Sequence, residues 1–195
     1  MARSLKKLIA AVFCLVLLFE LSSCAVNTKS AEQTGFSMGS LVGIKLYGKN
    51  SEALENANLL AEVVKTDERI SKNYEGSDIY RVNSSGEHGE TVSSKTYDEL
   101  RTVCDVYSDS HGKAAALSGA LTELWGFDTD EFRLPSEDEI LSAKEKCGDD
   151  KLIFDDGKKV YIPDGAKLNL GSAGKGIALD EAVKRIDEIN SQGGK

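Results

Sequence analysis

What the 195 residues lack narrows the field first. There is no internal repeat and no low-complexity stretch, so a solenoid or a disordered spacer is excluded. Basic charge is outweighed, with 24 Lys and Arg against 32 Asp and Glu and a formal net charge of −8. So acidic a chain has no electrostatic footprint for nucleic acid or anionic lipid. Cysteine is scarce, at four residues, which rules out a disulfide scaffold. The longest apolar run, residues 8–19, is twelve long, too short for a bilayer span of about twenty. Two nucleotide fingerprints are also missing. There is no GxGxxG, and the Gly174-Lys175 pair is not a Walker A loop, because Gly176 follows where Ser or Thr is needed and position 169 is Asn.

What is there begins with an export signal. Arg3, Lys6 and Lys7 give a positive start before the apolar run, and Leu21-Ser22-Ser23-Cys24 has the order of a bacterial lipobox. The expectation is cleavage after residue 23 and lipidation of Cys24, leaving the protein anchored at the extracytoplasmic side of the cell membrane. Residues 1–23 carry three basic groups and one acid, so the remaining 172 residues bear −10. The membrane contact would then be the lipid alone. With Cys24 taken, Cys104 and Cys147 are the one pair left. Cys104 falls on an apolar helical face and reads as core.

Residues 24–35 are small and polar and read as a tether. The domain is expected over 36–195. Alternation of Val42, Ile44 and Leu46 predicts a strand with one buried face. Ser51 is placed at the cap of a helix running to about Ile70. A short helical turn follows Ser77, and another helix follows Ser94. Residues 113–127 are rich in Ala and Leu and predict helix, with Trp125 and Phe127 burying aromatic surface. Ser136 and Glu139 have capping-box spacing. Two short apolar runs flank Asp156-Gly157, a hairpin signal.

The chain is organised around residues 168–180, LNLGSAGKGIALD. It reads as a strand end, a glycine-rich bend and a helix. The glycines would let backbone approach a ligand and tolerate positive φ. The helix N-terminus would favour an anion, and Lys175 adds positive charge. A phosphate or pyrophosphate suits such a place.

Four stretches, in order, resemble the ApbE-like family, the FAD:protein FMN transferases. FSMGS at 36–40 resembles F-x-M-G-T, and 70–83 resembles a segment ending S-e-l-s-r-l-N. LWGF at 124–127 matches outright, and 168–182 resembles L-D-L-G-G-I-A-K-G-y-a-x-D. The resemblance implies Mg²⁺-dependent cleavage of FAD, release of AMP and attachment of FMN to a Thr or Ser of an exported flavoprotein. Such acceptors are usually subunits of ion-pumping redox complexes. By position, Met38, Asn73, Asn169 and Lys175 would meet FAD, and Ser172 would meet the metal. Asn73 stands where the family often has Tyr, with Tyr74 adjacent.

Three departures accompany the resemblance. The family's S-G-G-a-F-D-x-T aligns with residues 110–117, which puts Ala115 at the Asp and Leu117 at the Thr. Asn169 replaces the Asp of L-D-L-G. Family members also continue through a His and a D-x-x-T metal motif that this sequence does not contain. The expectation is therefore an incomplete ApbE-like domain: α+β, a mostly antiparallel sheet flanked by helices, inactive as given. The alternative is a non-catalytic flavin- or nucleotide-binding, or partner-binding, surface lipoprotein.

Overall fold

The computed structural model describes residues 29–48, 57–127, 129 and 131–192. The signal, Cys24 and Ser51 lie outside them. The chain divides into two units, Met1–Glu32 with Lys45–Asn56, and Gln33–Ile44 with Ala57–Lys195. In the first, the described residues are strand. Lys45 pairs with Glu32 at 3.9 Å and sits 5.6 Å over the Tyr47 ring.

The second unit holds nearly all of the fold. Strands β1, Lys29–Ser37, and β2, Ser40–Gly48, pair in a two-stranded sheet. Only Met38 and Gly39 join them, so the pair is a hairpin. Burial alternates along β2 as expected, with Val42, Ile44 and Leu46 half-buried and Leu41, Lys45 and Tyr47 exposed. The expected tether is strand from Lys29 onward, because its polar residues alternate on a two-stranded ribbon rather than trailing in solvent.

Helix α1 is Leu59–Ile70 and α2 is Asp78–Ser85. The expected start of the first helix at Ser51 lies outside the described residues. The described helix begins after Asn58, which stands in the left-handed region, at φ 45° and ψ 50°, a conformation Asn tolerates better than most residues. Strand β3, Glu90–Thr91, leads to helix α3, Ser94–Asp109. Its cap is Ser93, one residue earlier than expected, because the Ser93 hydroxyl accepts the Thr96 N–H. Helix α4 is only Gly119–Leu124. Residues 113–118 are not helical despite their alanines. The Ala116 and Leu117 N–H groups donate to Asp149, at 2.9 and 2.6 Å, so they are spent outside any helix. Tertiary bonding overrides propensity here.

Helix α5, Glu137–Glu145, carries the expected capping box between Ser136 and Glu139. Backbone and side-chain hydrogen bonds from Ser136, with one from Arg133, hold the Glu139 carboxyl down to about 2. Strands β4, Ile153–Phe154, and β5, Lys159–Tyr161, form the expected hairpin. With β3 they make an antiparallel sheet in the order β3-β5-β4. Helix α6, Gly174–Gln192, closes the chain and packs along α1. Helices and antiparallel strands together are the α+β architecture expected.

The core gathers Ile79, Val82, Leu100, Leu117, Val160 and Leu168, all fully buried. Cys104 packs against it half-buried, and burial first, then Asp149 and Asp105, pushes its thiol up to about 11. That makes it inert packing, as expected. Trp125 and Phe127 bury less than expected: they stack at 6.1 Å, and Phe127 stays 62% exposed. Residues 166–169 belong to neither sheet, with backbone bonds to Gly119 and Ala116. At Leu168 the Asn83 amide stands where a strand partner would, donating to the Leu168 carbonyl at 2.9 Å and accepting its N–H at 2.7 Å.

Candidate active site

The glycine-rich bend becomes a single turn, Leu170–Ser172, followed directly by α6. Asn169 starts the turn, its side-chain oxygen accepting the Gly171 N–H at 2.9 Å. Its amide nitrogen donates to the Thr122 hydroxyl at 3.1 Å. Both ends of this side chain thus shape the bend. The glycines are not there for positive φ, since Gly171, Gly174 and Gly176 are absent from the residues that adopt it. Gly174 instead permits close packing: a Cβ there would lie 3.3 Å from the Ile70 side chain. That lets the start of α6 approach the end of α1.

A cleft of about 330 Å³ opens at this junction. One wall is Asn169, Leu170, Gly171, Gly174 and Lys175; the other is Asp67, Ile70, Ser71, Lys72 and Asn73 from the end of α1 and the loop after it. Met38 and Gly39 of the hairpin turn complete it. The first N–H groups of α6 have no partner within the helix, and the helix dipole adds positive potential. Exposed Lys175 and half-buried Lys72 bring two cations, with Asp67 the one carboxylate in the lining. The arrangement suits a phosphate or pyrophosphate.

Four residues that the sequence puts forward therefore meet at one place: Met38, Asn73, Asn169 and Lys175. Asn73 lines the cleft and Tyr74 does not. Ser172 is exposed and outside this lining. Among the described residues no group of three His, Cys, Asp or Glu could hold a metal. A hard Mg²⁺ needs several oxygen ligands, and these residues do not fit one. Leu117, where the resemblance expects a hydroxyl, is fully buried in the core. Asp67, Ser71 and Lys72 were not put forward by the sequence. The last two lie inside the 70–83 stretch, while Asp67 carries no motif signal.

Comparison with known proteins fits this geometry. The ApbE family model matches residues 38–194. A curated FAD:protein FMN transferase of Haemophilus influenzae is 21% identical over 200 residues, covering 96% of this chain and 58% of that protein. The crystal structure of the ApbE protein of Thermotoga maritima superposes with a TM-score of 0.77 at 26% identity, over 84% of this chain and 54% of its own. The apo flavinyl transferase ApbE of Pseudomonas stutzeri gives 0.72 at 22% identity, over 83% and 54%. The chain spans little more than half the length of these relatives. With three of the four resembling stretches lining one cleft and a family match over most of its length, the chain belongs to the ApbE family.

Proposed function

We propose that the cleft binds FAD as substrate and that the protein transfers FMN from it to a Thr or Ser of an exported flavoprotein. The observation that carries this is the convergence of Met38, Asn73, Asn169 and Lys175 at the start of α6. In the transfer, the acceptor oxygen bonds to the FMN phosphorus, the pyrophosphate P–O bond breaks, AMP leaves and the hydroxyl proton is lost. Lys175 and the α6 N-terminus would hold the pyrophosphate, and positioning would do much of the work. The family resemblance further suggests Mg²⁺ and an acceptor in an ion-pumping redox complex. No step is assigned to Mg²⁺, because no group of three His, Cys, Asp or Glu among the described residues could hold it.

The test is FAD titration of the chain, followed by incubation with FAD, Mg²⁺ and an acceptor. Retained flavin is expected, and Lys175→Ala should weaken it about five- to tenfold, the scale of an exposed charge on a phosphate. No retained flavin would end the proposal. A fluorescent covalent adduct on the acceptor, prevented by EDTA, would establish transfer. A second reading, a non-catalytic flavin- or partner-binding lipoprotein, draws on Leu117 being core and the Asn169 amide being occupied within the fold. Flavin binding without adduct would favour it.

We also propose that Cys24 carries the lipid, on the strength of the lipobox order. Palmitate labelling of cells is expected for the wild type and lost in Cys24→Ala. Labelling that survives the substitution would refute the anchor.

A further inference from the structure

Asp67 is the one acid in the cleft, yet an acid repels a pyrophosphate. What it holds explains its presence better. Its Oδ2 accepts the Met38 N–H at 2.6 Å and the Ser37 hydroxyl at 2.9 Å. The turn so held is an unusual one. Met38 stands at φ 51° and Gly39 at φ 66°, the pairing of positive values that a two-residue hairpin turn normally gives to Asn-Gly. A long side chain in the left-handed region is strained, and such strain concentrates where function needs it. β1 is fastened at its middle too, where the Gln33 side chain accepts the Leu60 N–H at 3.0 Å. The strand therefore rides on α1, with Asp67 as the fastening beside the cleft.

We propose that Asp67 is a positioning residue: its carboxylate latches the strained Met38 turn onto α1 and so sets the Met38 side chain in place for FAD. The inference rests on the FAD reading above. A preset turn spares the ligand the cost of ordering it. The latch needs an acceptor oxygen and no charge, since one oxygen takes both donors. An Asn oxygen can do the same.

The test uses the 195-residue chain, with FAD affinity followed by flavin fluorescence, thermal unfolding, and hydrogen exchange at the Met38 amide. Asp67→Ala should weaken FAD about tenfold or more, the scale of one lost charged hydrogen bond, and should unprotect the Met38 amide. Asp67→Asn should rescue both, to within about threefold of wild type in affinity, which a role for the negative charge would not allow. Met38→Gly should relieve the strain, raise the melting temperature by about 2–4 °C and still weaken FAD. FAD held equally by wild type and a folded Asp67→Ala would overturn the latch, as would failure of Asn to rescue it. Should Asp67→Ala not fold, an unprotected Met38 amide in the wild type, or unweakened FAD in Met38→Gly, would overturn it. A wild type that binds no FAD but protects Met38 counts against the FAD reading itself and takes the positioning role down with it.

Discussion

Asp78→Ala is expected to lose about 3–5 kcal/mol of folding stability, the scale of removing one partner from a buried charged network. Asp78 is 6% exposed at the start of α2. Its Oδ2 accepts the Ser93 N–H at 3.1 Å and the Ser93 and Thr96 hydroxyls, each at 2.6 Å. Its Oδ1 accepts from Arg81 at 2.6 Å. Since Ser93 is the cap of α3, this one carboxylate ties the beginnings of two helices together. Burial pushes its pKa up, but the bonds from Ser93, Thr96 and Arg81 together outweigh burial and leave it lowered. A lowered folded value means that the stabilisation is full above the unfolded value of about 3.9 and is lost as pH falls through the folded one. The gap between wild type and variant should therefore be widest near neutral pH and narrow in acid. Urea unfolding at pH 7 and pH 3 measures it. A gap under about 1 kcal/mol at pH 7 would mean the network is worth no more than a surface pair.

Much of this fold was legible because local chemistry and tertiary need agree. The Ser136–Glu139 capping box, the hairpin around Asp156-Gly157 and the alternation of β2 all formed where local rules put them. Two of the failures share a cause: a distant polar group intervened. Residues 113–118 have helical composition, but Asp149 claims their N–H groups from 32 and 33 residues away. Leu168 was read as the end of a strand, but the Asn83 side chain takes both its backbone groups from 85 residues away. No window of sequence contains either partner.

The site divides in the same way. Met38, Asn73, Asn169 and Lys175 were legible through the family's motifs, and the fold unites them. Their roles were less so. The Asn169 amide closes the bend onto itself, and the glycines serve helix packing rather than positive φ. Asp67 could not be seen at all, because its partner is a backbone N–H about 30 residues earlier.

Asp149→Ala should cost about as much as Asp78→Ala, about 3–5 kcal/mol, but with the opposite pH signature. Asp149 is 2% exposed, and the residues whose N–H groups it accepts, Ala116 and Leu117, are fully buried. Alanine would strand both donors without water. Asn offers one oxygen for two donors, so Asp149→Asn should cost about half as much. Here burial prevails over the two backbone bonds, and the carboxyl is raised. A raised folded value gives stabilisation that is full below the unfolded value of about 3.9 and lost as pH rises through the folded one. The gap between wild type and Asp149→Asn should thus be widest in acid and shrink toward neutral pH; a gap that widens toward neutral would refute this assignment. The consequence reaches the cleft through bonded backbone. Asp149 holds Ala116, the Ala116 carbonyl accepts the Asn169 N–H at 2.7 Å, and Asn169 shapes the turn at Gly171. Loosening the buried end should loosen the glycine bend, so weaker FAD retention is expected in folded Asp149→Asn although residue 149 does not line the cleft. Retention unchanged in that folded variant would show that the bend keeps its shape without the chain of bonds behind it.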